Sequence, residues 1–169
     1  MISRFQAILF ILAISATGFS QSSNFREDLL LKWDNTRAYS IEIAQAMPSG
    51  EYDYKPTEDV RSFQEQVIHM ADNVTWLCSA FLGGTPFERE SPVGKEACLD
   101  YLKRALDYAY TTLETLDLST LDDEVDFFAG PMRRQRILFL LNDHLTHHRG
   151  QLIMYLRLKG ITPAKYRGW

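Results

Sequence analysis

The sequence predicts an all-α domain built as a four-helix bundle. Four stretches repeat apolar residues at helical spacing, prolines and glycines gather between those stretches, and no segment alternates apolar and polar residues as a half-buried strand would. The first helix opens at Asn24, a cap residue with Glu27 three positions on, and carries Leu29, Trp33, Thr36, Tyr39, Ser40 and Ile43 on one face. It ends before Pro48 and Gly50. After the polar loop EYDYKPTEDVRS, Ser62 and Glu65 form a capping box. The second helix then presents Phe63, Val67, Ile68, Ala71, Val74 and Leu77, and stops near Gly83 and Gly84.

A loop rich in proline and glycine, GGTPFERESPVG, leads to the third helix, from about Lys95 to Leu116, with Leu99, Leu102, Ala105, Tyr108 and Leu113 at helical spacing. The acidic stretch LDLSTLDDEVDFFAGPM is broken by Gly130 and Pro131 and reads as a second long loop. The last helix runs from about Arg133 to Lys159 and is closed by Gly160 and Pro163. Both long connections are able to cross a bundle end, so a simple up-down-up-down order is not required.

The first 20 residues form a separate unit. Arg4, an apolar stretch from Ala7 to Ala16, and small polar residues up to Ser20 have the layout of a secretory signal peptide, too short to span a bilayer comfortably. The domain proper is therefore residues 24–169, exported, periplasmic in a cell with two membranes, and without a stable membrane anchor after cleavage. Its two cysteines, Cys78 and Cys98, allow either a disulfide between the second and third helices or two buried thiols. A net charge of -4 and the lack of a Lys/Arg-rich block exclude a nucleic-acid surface. The run Arg133, Arg134 and Arg136 reads as a solvated helix start, and apolar helix faces permit a homodimer.

Histidines carry the chemistry. The chain has four: His69 in the second helix, and His144, His147 and His148 in the last. On a helix His148 lies about 40° from His144 and His147 about 60° to the other side, so either pair is able to grip one metal ion and all three are not. His69 sits among apolar neighbours, where an unpartnered imidazole is costly, and is the third ligand candidate. Glu65 and Asn73 fall one turn either side of it. Trp76 reads as core and Asp143 as solvent-facing. There is no phosphate-binding glycine loop, no Cys-x2-Cys pair and no Ser/His/Asp order.

The strings YKPTEDVRSFQEQVIHMADNVTWL, from Tyr54, and DHLTHHRGQLIMYLRLKGITP, from Asp143, resemble the DinB-like (DinB/YfiT-type) superfamily of metal-dependent four-helix-bundle proteins. The resemblance covers essentially the whole domain. It implies up-down-down-up connectivity and a divalent metal (Zn, Ni, Fe or Mn) held by His69, His144 and His148, with His147 left outside the ligand set. It also implies reactions that include thiol-dependent S-transfer, maleylpyruvate isomerisation and hydrolysis. An export signal sits badly with cytosolic thiol cosubstrates. The expected function is thus a metal-dependent hydrolase or transferase acting on a small molecule, with Glu65 and His147 as candidates for proton transfer. The alternative is a non-catalytic metal- or ligand-binding protein of the cell envelope, and a fourth protein ligand closing the metal site would favour it.

Overall fold

The computed structural model describes residues 24–169 in full and, for residues 4–23, only the course of the backbone. The predicted signal segment, residues 1–20, lies outside the fully described part. Four helices dominate: α1 (Arg4–Ala46), α2 (Phe63–Phe81), α3 (Lys95–Thr115) and α4 (Arg134–Leu158). Asn24 does not cap α1 but lies within it, because the helix begins at Arg4 and the first-turn N–H groups that a cap would satisfy are not at residue 24. The Ser62 capping box does form. Ser62 Oγ accepts from the Glu65 N–H at 3.2 Å and Glu65 accepts from the Ser62 N–H at 2.6 Å.

Pairings along the helices give their directions. Lys95 reaches the Gln45 carbonyl, the Trp33 indole donates to the Leu106 carbonyl, and Arg26 reaches the Leu113 carbonyl, so α1 and α3 are antiparallel. The Gly94 N–H meets Gln64 and Tyr101 meets Asp72, so α2 and α3 run the same way. Tyr155 meets the Arg61 carbonyl and His144 meets His69, which makes α4 antiparallel to α2. Thr36 and Ser40 meet Asn142 and Arg149 in the same order, so α1 and α4 are parallel. The helices thus run up, down, down, up in chain order.

A core of fully buried side chains, among them Trp33, Ile43, Phe63, Met70, Leu77, Leu102, Leu106 and Ile137, fills the space between the four helices. Each such side chain stabilises the fold by roughly 1.5–3 kcal/mol through loss of water contact. The 82–94 loop must run back along the bundle, because α2 and α3 are parallel. It leaves α2 at Gly83, whose φ of 80° suits glycine, and at Gly84, where a Cβ would collide with the Tyr108 hydroxyl and Thr112.

One predicted loop carries strand. Glu124–Val125 (β1) and Met132–Arg133 (β2) pair antiparallel, Glu124 opposite Arg133, around a turn in which Gly130 has φ 102°. Two residues per strand are too few for an alternating pattern to show in sequence. The hairpin packs Phe127 inward against Trp76 (ring centroids 5.5 Å) and leaves Phe128 84% exposed.

Cys78 and Cys98 are both buried free thiols. A disulfide across antiparallel neighbours would have been reasonable, but in parallel helices Cys78 near the end of α2 and Cys98 near the start of α3 sit at opposite ends of the bundle. Burial pushes the Cys78 thiol up to about 12 and the Cys98 thiol up to about 11, which suppresses the reactive thiolate. Alkylation in denaturant without reductant should therefore modify both cysteines, and a mass spectrum with neither modified would contradict the parallel arrangement.

Candidate metal centre

The antiparallel contact of α2 with α4 brings three of the four histidines together. His69 comes from the middle of α2, and His144 and His148 come from one face of α4. Their nearest ring nitrogens all lie within 4.8 Å of one another, and His69 Nε2 and His144 Nε2 are 3.1 Å apart. Two nitrogens each about 2.0–2.1 Å from a common ion are about 2.9 Å apart at a right angle and about 3.4 Å apart in a tetrahedron, so the 3.1 Å pair fits one ion. One Nε2–H donates to the other nitrogen across this pair, and both rings would have to carry their proton on Nδ1 to offer Nε2 to an ion.

His148 is oriented by two amides. Its Nδ1 lies 2.8 Å from Gln66 Oε1 and 2.9 Å from Gln151 Oε1. Both partners are acceptors, so Nδ1 carries the proton and Nε2 keeps its lone pair for a metal. His144 Nδ1 is buried with no partner, as is Asn73 Oδ1. The donor set therefore suits a divalent transition metal: three converging imidazoles, of which His148 has its outer nitrogen fixed by Gln66 and Gln151.

Burial holds all three imidazoles in the neutral form that binds metal. His144 is pushed down to about 3, first by desolvation and then by the neighbouring His148, His69 and His147. His148 falls to about 4 for the same leading reason, partly offset by Gln151, and His69 is also lowered by burial.

His147 is exposed and stands outside the cluster, its ring 4.8 Å from that of His148, with Nε2 facing the Gln151 amide nitrogen at 3.2 Å. Glu65 is committed to the capping box and to Lys55 at 3.3 Å. Among the described residues no carboxylate or thiol joins the three imidazoles. Asp143 is exposed.

A cavity of about 240 Å³ opens directly on His69, lined also by Asp72, Asn73, Trp76 and Arg89. Trp76 is not a core residue as its helical position suggests. It is 37% exposed and forms a cavity wall, in edge-to-face contact with Phe81 and tilted against Phe127. Asp72 accepts from the Tyr101 hydroxyl at 2.7 Å and from Arg89 at 2.5 Å, so the returning 82–94 loop is tied down beside His69. A second cleft, about 610 Å³, lies beyond His148 and is lined by Lys55, Asp59, Val60, Arg61, Glu65, Gln66 and Gln151.

Gln66 and Gln151 each lie three residues from a histidine, Gln66 before His69 and Gln151 after His148, a spacing that marks supporting residues one turn from a ligand. Arg89 and Tyr101 leave no such mark. Their place depends on the direction of α3 and of the loop before it.

Residues 20–168 match the DinB family. The chain belongs to the DinB family. This DinB chain is 27% identical over 135 residues to YjoA of Bacillus subtilis strain 168, described as uncharacterized, with 77% of this chain and 88% of YjoA covered. The crystal structure of YjoA, a DinB-like protein, superposes with a TM-score of 0.71 at 25% identity, covering 83% of this chain and 96% of that one. A DinB-like protein from Bacillus cereus ATCC 10987 superposes with a TM-score of 0.72 at 19% identity, covering 83% and 97%, and shares the fold. The all-α bundle is therefore that of the family.

The neutral histidines have a consequence for stability. Each is held below the usual 6.5 in the folded chain, so as pH falls below that value the unfolded chain binds protons that the folded chain refuses. Metal-free protein should lose stability progressively as pH falls from about 6.5 toward about 4, and a His144→Gln/His148→Gln double variant should show a flatter profile by urea titration. Equal slopes for the two proteins would contradict neutral burial of the cluster.

Proposed function

We propose that this DinB protein is a metal-dependent hydrolase or transferase acting on a small molecule, with His69, His144 and His148 as the metal ligands. One observation carries the reading: three imidazoles converge, and among the described residues no fourth His, Cys, Asp or Glu joins them. Structural metal sites are closed by four protein ligands, whereas catalytic sites keep a position free. Glu65, the side chain best placed in sequence to close the site, is held by Ser62 and Lys55 instead. This favours catalysis over storage.

A divalent ion held by three neutral imidazoles would supply Lewis acidity at the coordination positions the protein leaves free. The chain's own residues do the rest. Gln66 and Gln151 fix the tautomer of His148, and the Gln151 amide donates onward to His147 at the surface. That chain gives His147 a defined orientation at the rim, where an exposed imidazole is able to exchange protons with solvent. Trp76, Phe81 and Phe127 provide an apolar wall beside His69 that limits water on that side. The leader-like pattern of the first 20 residues is the reason for placing this chemistry outside the cytosol. There, hydrolysis or transfer to a non-thiol acceptor is the better reading.

Metal analysis of untagged protein tests the ligand set. The wild type and His147→Ala should retain about one equivalent of a first-row divalent metal after dialysis, and His144→Ala should retain little. Equal metal content in all three would overturn the proposal.

A further inference from the structure

We infer that Arg61 anchors an oxyanion, a carboxylate or phosphate, on the small molecule that this centre acts on. The inference rests on the metal-centre reading above and extends it to the class of substrate. Three cationic side chains line the cavity that opens on His69 or the cleft bordered by Gln66 and Gln151, the two amides bonded to His148: Arg89 the first, Lys55 and Arg61 the second. Lys55 is paired with Glu65 at 3.3 Å and Arg89 with Asp72 at 2.5 Å. The guanidinium of Arg61 has no ion-pair or hydrogen-bond partner among the described residues, although Asp59 and Glu65 line the same cleft. Asp59 is instead bound to Thr57 at 2.6 Å, and Glu65 to Ser62 and Lys55.

Arg61 is also placed by the fold rather than left on a loose loop. Its carbonyl accepts from the buried Tyr155 hydroxyl at 2.9 Å, and the next residue is the Ser62 cap of α2. Its cleft is shared with Gln66 and Gln151, the two amides that hold His148.

Charge balance then decides what binds. Three neutral imidazoles leave both charges of a divalent ion uncompensated by protein, and Arg61 adds a third positive charge nearby. A planar guanidinium with free N–H groups matches the two oxygens of a carboxylate or phosphate, which a neutral substrate would leave unanswered. A substrate with an oxyanion toward Arg61 and its reacting group toward the histidines satisfies both.

The test uses full-length protein loaded with cobalt(II), whose visible spectrum reports ligands at the metal centre. Benzoate, inorganic phosphate and neutral imidazole are titrated into wild type, Arg61→Gln, Arg61→Lys and Lys55→Gln. The oxyanion that binds wild type more tightly identifies which of the two the site takes. Arg61→Gln should weaken that anion by about 10- to 100-fold while leaving imidazole affinity within about two-fold, since a hydrogen bond to a charged group is at stake. Arg61→Lys should recover part of the loss, and Lys55→Gln should change little. Unchanged anion affinity in Arg61→Gln, or an equal loss of anion and imidazole, overturns the anchor while leaving the metal centre standing. Failure of the wild type to bind cobalt overturns the metal centre and the anchor with it.

Discussion

The register of α2 against α4 is the constraint on which the site depends. With the helices antiparallel, Gln66 faces His148 and His69 faces His144, two contacts separated by about one turn on each helix. A slip of one turn, about 5.4 Å, would part both pairs and leave no common point for the three imidazoles. Apolar packing on either side fixes that register: Val67, Met70 and Val74 on α2, and Leu141, Leu145 and Leu152 on α4, are buried. The core therefore acts as the jig for the histidines. Hydrophobic packing sets the helix positions from which they project.

Parallel α2 and α3 add the second element of the site. A short turn cannot join parallel helices, so the chain returns through residues 82–94, and that return carries Arg89 onto Asp72 beside His69. The same direction separates Cys78 from Cys98. One topological choice thus delivers a charged residue to the cavity and keeps the two thiols apart. The energetic cost sits at the centre itself, where His144 Nδ1 and Asn73 Oδ1 are buried without partners. Each such group costs about 1–3 kcal/mol, a strain typical of sites kept for chemistry rather than stability.

Local signals were readable wherever one helix carried them. The Ser62 and Glu65 box, the ends of α2 and α3 to within a residue or two, and the i, i+4 spacing of His144 and His148 were all visible, because each depends on neighbours within one turn. Helical geometry alone left His147 and His148 as rivals, and the structure brings His148 inward on Gln66 and Gln151 while His147 stays exposed. Asn24 misled because a cap motif has no effect inside a longer helix. Trp76 misled because helical periodicity marks a face without saying whether a cavity lies over it. Arg61, Arg89 and Tyr101 reach the site only through the order and direction of the helices, which residue spacing does not encode.

X-ray absorption on untagged protein carrying one equivalent of zinc or nickel tests the central claim most directly. The account predicts a shell of nitrogen and oxygen atoms at about 2.0–2.1 Å with scattering from three imidazoles and the remaining positions filled by light non-imidazole atoms. A shell with a sulfur ligand, a fourth imidazole, or fewer than three imidazoles would contradict it.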